Sequence, residues 1–215
     1  MRFLVIDTAG PSLRVALSTG AFVRDGNNRN ASAALMPAVD ELLCGAKCTL
    51  ADLDFAACVT GPGSFTGIRI GVSTVRSLCY ARGLPALGMH YLQTLAYNER
   101  ADGSARILCV CDGSNGTAYV AEYDGDRREI VPCACIGMEE ALQKARAYSG
   151  AVCTDEKLAP LLENAIAPDT DCRALLRAAT ALSEHATAWQ ELLPVYVRQS
   201  QAERDEAERR ARGNS

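Results

Sequence analysis

Gly61-Pro62-Gly63-Ser64-Phe65-Thr66-Gly67-Ile68-Arg69-Ile70-Gly71 lies between a compact apolar run, residues 53 to 60 (LDFAACVT), and a segment of helical periodicity ending at Gly83. The run suits a buried strand, and the turn after it would aim free amides and the positive end of a helix dipole at an anion. The stretch lacks the Gly-Lys-Ser/Thr ending of a P-loop, and its third glycine falls one position late for the dinucleotide fingerprint. In the purely structural reading, Gly61 and Gly63 permit a tight turn while Gly67 and Gly71 permit close helix packing. A helix over 66 to 82 is expected, with Ser64 or Thr66 as N-cap, Gly83 as stop and Pro85 beyond it. Ile68, Val72, Val75 and Cys79 make one apolar stripe on it. Gly67, Gly71, Thr74 and Ser77 make a neighbouring stripe of small side chains, along which another backbone can come close.

Working outward, residues 2 to 7 (RFLVID) and 13 to 18 (LRVALS) read as strands joined by a hairpin at Thr8-Ala9-Gly10-Pro11-Ser12. Asp7-Thr8-Ala9-Gly10, an acidic residue at a strand end followed by a turn, is similar to the way actin-like and hexokinase-like ATPase lobes begin. Asp and Thr also favour turns by bonding their own backbone, so the pattern alone does not choose between a phosphate contact and a turn. A polar loop follows. Ser32 can then cap a helix to about Ala46, with Leu35, Val39, Leu42, Leu43 and Ala46 on one face. Pro37 costs about 3 kcal/mol in a helix interior, so an irregular first turn, with the regular part starting close to Pro37, is expected.

A strand at 85 to 88 and a helix at 90 to 98 complete a first domain, 1–102. The second, 103–200, opens with strands at 106 to 111, 117 to 123 and 128 to 133, with Asp124-Gly125 as a hairpin signal. Helices are expected near 138 to 148, 158 to 165 and 172 to 186. Each half begins with meandering strands and ends in helices, so the fold class is α/β with two related lobes, the second one reduced. Residues 201–215 alternate acid and base with almost nothing apolar and read as a charged, flexible tail.

With a formal net charge of −4, the chain lacks the extended cationic surface behind non-specific nucleic-acid affinity. Any RNA is therefore expected on another subunit. No apolar run reaches the roughly 18 residues of a spanning helix, and Met1 leads directly into a strand, so a cytoplasmic protein without membrane contact is expected. The ten cysteines are scattered through apolar stretches without C-x-x-C or zinc spacing, which reads as reduced, mostly buried thiols and no metal site. A nucleophilic triad would have to use His90 or His185, the only histidines. His90 sits where helices are capped, and His185 falls late in a helix.

The opening residues Phe3 to Thr8 (FLVIDT), the helix Leu35 to Leu43 (LMPAVDELL) and above all Gly61 to Gly71 closely resemble the TsaB family. Pro194-Val-Tyr-Val-Arg198 followed by Gln201-Ala-Glu203 resembles that family's C-terminal signature. The resemblance covers most of the chain and implies two actin-like or hexokinase-like ATPase-fold lobes. It also implies a non-catalytic partner of the carbamoyltransferase TsaD in forming threonylcarbamoyladenosine next to the tRNA anticodon. TsaD itself holds a metal partly through a His-x-x-x-His pair, whereas the matching helix here reads Asn30-Ala-Ser-Ala-Ala-Leu-Met-Pro37. Ala and Ser cannot replace imidazoles as metal ligands, so no catalytic residue is assigned. The family's Asp-Ala-Arg turn is replaced by Asp112-Gly113-Ser114, which removes an arginine from that position.

From the resemblance, a heterodimer with TsaD is expected, with TsaE joining it, TsaC and tRNA linked indirectly, and a homodimer forming when the chain is isolated. The interface is expected on Leu35, Val39, Leu42, Gly67, Ile68, Gly71, Val72, Thr74, Val75 and Ser77. No intrinsic cofactor is implied, with ATP or ADP allowed at the junction with TsaD. The nucleotide-contact candidates are Asp7, Thr8, Gly61, Gly63 and Ser64. The rival reading is an ATP-using phosphotransferase or acyltransferase on the same fold, and a peptidase is a weaker rival because no nucleophile-base pair is evident.

Overall fold

The computed structural model describes residues 1–25 and 30–197. The polar-loop residues 26–29, Arg198, the Gln201-Ala-Glu203 match and the 201–215 tail lie outside the described residues. The first sheet has the order β3-β2-β1-β4-β5. Strand β1 (Phe3–Asp7) pairs antiparallel with β2 (Leu13–Leu17), which pairs with β3 (Phe22–Asp25). On its other side β1 runs parallel to β4 (Phe55–Gly61), and β4 to β5 (Ala86–His90). Every residue of β1, β2 and β4 is buried, as expected of strands covered on both faces. The edge strand β3, at the start of what reads as a polar loop, has no fully buried residue.

Helix α1 (Ala31–Gly45) continues without a break through Pro37, and its N-cap is Asn30 rather than Ser32. Pro37 is exposed, as is Ala33, whose carbonyl loses the intrahelical bond on the solvent side, where the loss costs least. Helix α2 (Phe65–Arg82) begins where the Ser64 hydroxyl accepts the Gly67 N–H at 3.1 Å, and stops at Gly83 with φ +68°. It packs on β4 and β1, while α3 (Tyr91–Ala96) and α5 (Arg173–Ala181) pack on the opposite face.

The second sheet has the order β8-β7-β6-β9. Its strands are β6 (Arg106–Ser114), β7 (Thr117–Asp124), β8 (Glu129–Gly137) and β9 (Ala151–Thr154). An antiparallel meander with a parallel fourth strand reproduces the β3-β2-β1-β4 portion of the first sheet. Helix α4 (Met138–Arg146), between β8 and β9, stands where α1 stands between β3 and β4. The counterpart of β5 is absent among the described residues, which makes the second lobe the reduced one.

The face of the second sheet carrying Cys109, Cys111, Tyr119, Ala121 and Tyr123 joins the first sheet's core through α3 and α5, and α4 covers a smaller cluster around Leu108, Val110 and Val120. Two helical expectations need correction. Residues 158–165 form only one 3-10 turn, Ala159–Leu161, and α5 ends at Ala181, with a separate turn at Ser183–His185. Helix α5 and the stretch 187–195, although inside the 103–200 segment, pack back on the first sheet. Thr187 pairs with Ala86, and the Val195 N–H donates to the Thr60 carbonyl at 2.8 Å.

Candidate functional site

The two turns that would embrace a phosphate are brought together at the ends of β1 and β4, where they grip each other. Asp7 is fully buried. Its Oδ1 accepts the Ala9 and Gly10 N–H groups at 2.9 and 3.2 Å, and its Oδ2 takes Arg14 Nε at 3.1 Å as well as Nη2. Arg14 is itself buried. Burial works against its charge, but Asp7 and Tyr91 outweigh it and hold the guanidinium pKa above its ordinary value.

The second turn closes over the first. The Ser64 N–H donates to the Ala9 carbonyl at 2.9 Å, and the Thr8 hydroxyl donates to the Gly67 carbonyl at 2.7 Å. Gly63 has φ +154°, and a Cβ there would run into the Ala9 carbonyl; Gly61 has φ +130°, and a Cβ there would run into the Val195 carbonyl. Asp7, Thr8, Gly61, Gly63 and Ser64 are thus neighbours, as a nucleotide site requires. The Asp7 carboxylate, the Thr8 hydroxyl and the Ser64 N–H are each bonded within the two turns.

The two glycines of the small-residue stripe are also used within the chain. Gly67 and Gly71 face inward, because a Cβ on Gly67 would overlap the Thr8 carbonyl and one on Gly71 would press on the Thr8 hydroxyl. The close backbone approach they permit is made within the chain. Leu35, Val39, Leu42, Ile68, Val72 and Val75 are all buried in the lobe's own core and offer no free surface. Of the residues expected at an interface, Thr74 is half-buried and Ser77 exposed. Met36 on α1 and Ser73 on α2, which the sequence reading did not single out, are exposed as well, each between buried positions of its amphipathic helix.

Between the lobes, charges are matched by protein groups. Ser12 Oγ donates to the Glu156 carboxylate at 3.0 and 3.1 Å, and Arg24 Nη2 reaches Glu156 at 2.6 Å. Asp155 accepts N–H groups from Asp112, Lys157 and Leu158; burial nonetheless raises its pKa above the ordinary carboxylate value. Asp112, in the turn that departs from the family pattern, holds Lys157 Nζ at 2.6 Å. His90 is the N-cap residue of α3, but its side chain makes no capping hydrogen bond. Its Nδ1 is buried with no hydrogen-bond partner, and burial lowers its pKa to about 4. His185 is exposed, 3.9 Å from Glu184. Among the described residues, no group of three or more His, Cys, Asp or Glu side chains is arranged to hold a metal ion, and no helix is long and apolar enough to cross a membrane. Of the ten free cysteines, Cys58, Cys79, Cys109, Cys111, Cys153 and Cys172 are buried.

Comparison with known proteins agrees with this architecture. A protein described as YeaZ from Pseudomonas aeruginosa superposes with TM-score 0.70 over 91% of this chain and 99% of its own, at 24% identity. Another structure, from the same organism and described as similar to the peptidase YeaZ, gives 0.71 over 92% and 99%, also at 24% identity. In sequence, the tRNA threonylcarbamoyladenosine biosynthesis protein TsaB of Escherichia coli is 35% identical over 134 residues, 60% of this chain and 58% of that protein. The TsaB of Bacillus subtilis is 34% identical over 140 residues, 61% of this chain and 60% of that protein. The match to these relatives therefore spans less than two thirds of their length. The family described as "TsaD: tRNA N6-adenosine threonylcarbamoyltransferase" matches residues 18–160. By that match the chain belongs to the TsaD family, and it resembles the members that carry the TsaB name.

Proposed function

We propose that this chain is a non-catalytic subunit that binds a TsaD-type threonylcarbamoyltransferase and supports the formation of threonylcarbamoyladenosine in tRNA, beside the anticodon. The observation that carries the reading is the closure of the Asp7 turn by the Ser64 loop. A phosphotransferase or acyltransferase on this fold would need those amides and that carboxylate for substrate, and here Ala9, Gly10 and Arg14 use them. Nucleotide and metal chemistry in the complex then belongs to the partner, with TsaE and TsaC acting on the same assembly in the cytoplasm. The docking surface is the exposed side of α1 and α2, with Met36, Ser73, Thr74 and Ser77 at its centre. Short side chains there let a partner helix approach closely without disturbing the core beneath, and a second copy of the chain would use the same face when the partner is missing.

Co-expression with the cognate TsaD-type protein, followed by size-exclusion chromatography and a tRNA modification assay, tests the proposal. Ser77→Arg combined with Met36→Asp is expected to abolish co-elution and to leave stability within about 0.5 kcal/mol, as for most surface substitutions. Full modification in the absence of this chain, or undiminished co-elution of the double variant, would overturn it.

A further inference from the structure

The outer side of α2 carries a second surface, which borders the Ser73 and Ser77 face assigned above. Five exposed large apolar side chains, Phe65, Tyr80, Leu193, Val195 and Tyr196, gather where α2 meets the returning stretch 187–197. Such a concentration marks a contact surface rather than scattered exposure. At one end the Phe65 and Tyr196 rings stack with centroids 4.8 Å apart. The Arg69 guanidinium lies 4.1 Å over the Phe65 ring and donates from Nε to the Tyr196 hydroxyl at 3.2 Å. At the other end Tyr80 meets Trp189 edge-on at 5.1 Å, with Arg76 5.8 Å over the indole. The two groups are spaced about 22 Å apart along one helix.

The charge of this face is opposite to that of the whole chain. Residues 61–85 and 186–197 contain Arg69, Arg76 and Arg82 and a single acid, Glu191, within a chain of net charge −4. The ion pairs among the described residues leave Arg69 and Arg76 out, whereas Arg82, on another side of the helix, lies near enough to Asp52 to help lower that carboxyl's pKa. Alternating guanidinium groups and ring edges, spread over several nucleotide lengths, is the chemistry that holds unpaired RNA, with bases against aromatics and phosphates against cations.

We propose that this arginine and aromatic face of α2, closed by residues 189–196, contacts unpaired nucleotides of the tRNA substrate. The inference rests on the tRNA reading above and gives the subunit a direct hold on the RNA beside that of its partner. Arg69 and Arg76 meet phosphates, Tyr80 offers a face for a base, and Arg69 Nε also fixes the Tyr196 ring.

Fluorescence anisotropy of the full chain with a labelled single-stranded RNA oligonucleotide tests this, independently of the modification assay that tests the subunit reading. Each phosphate neutralised on a single strand adds about 0.7 to the salt slope, so two arginines are expected to weaken binding about sevenfold between about 50 and about 200 mM salt. Arg69→Glu with Arg76→Glu should remove most of that dependence, and Tyr80→Ala should weaken binding about fivefold or more without changing the slope. Both changes are on the surface, and an unaltered melting curve confirms that the variants fold. Salt-independent binding, or binding unchanged in both variants, overturns the proposal. So does loss of association with the TsaD-type protein in the same variants while RNA binding persists, since the face would then receive a protein.

Discussion

The Thr8 hydroxyl donates to the Gly67 carbonyl at 2.7 Å, and the Thr8 carbonyl occupies the place a Gly67 side chain would need. One residue thus ties the first hairpin to the first turn of α2 from both sides. Gly67→Ala is expected to destabilise the chain by about 2–3 kcal/mol despite the roughly 1 kcal/mol that alanine contributes to a helix, because the obstacle is backbone. Gly71→Ala meets only the Thr8 hydroxyl and should lose about 1 kcal/mol or less. Urea midpoints of the two variants, compared at equal m-value, check the order.

The buried pair Asp7 and Arg14 gives a larger effect. Asp7→Asn leaves a guanidinium buried without its counter-charge and should lose about 3–5 kcal/mol. Adding Arg14→Met removes the stranded charge and should recover more than half of that loss. Equal stability of the single and double variants in chemical denaturation would show that the charge is not what matters.

His90 makes stability depend on pH in the acid range. Burial holds its folded pKa at about 4, below the ordinary 6.5. As pH falls through 6.5 the unfolded chain takes up a proton that the folded chain refuses until about 4, so stability declines across that window. A difference of about 1 kcal/mol per pH unit is expected between the wild type and His90→Gln, which cannot titrate, with the variant less sensitive. Denaturation curves at pH 7, 6 and 5 measure it; parallel pH dependence of the two proteins would exclude His90 as the source.

The thiols should divide by burial. Burial pushes the pKa of Cys79 and Cys172 to about 11 and of Cys133 to about 12, while Cys44 lies on the surface of α1. A disulfide reagent at neutral pH is expected to modify Cys44 within seconds to minutes in the native protein, and the six buried thiols only on unfolding. Rapid native labelling of Cys58 or Cys109, followed by mass spectrometry, would contradict this packing.

Much of the fold can be read locally. β1, β2, β4 and α2 announce themselves through β-branched runs, glycine punctuation and a cap three residues before its partner N–H. β3 and β9 escape because each has four residues, too few for alternation to show. The helix expected at 158–165 shrinks to the turn Ala159–Leu161, because the chain becomes extended at Leu162, which is buried in the second core. The site was legible in its parts and not in its arrangement. Asp7 and the Gly61 loop are both marked by composition, but the Ala9 carbonyl lying against Gly63 depends on strands far apart in sequence. The Trp189 and Tyr196 contacts with α2 depend on a chain reversal that no local pattern encodes.

That reversal orders events during synthesis. Ala86 receives its partner Thr187, and Thr60 receives Val195, only after nearly all of the described chain has been translated. A ribosome-bound intermediate holding just the first hundred residues has an uncovered β5 border and a bare α2 flank. Chaperone binding to nascent chains should therefore concentrate on that border and cease once Tyr196 clears the exit tunnel.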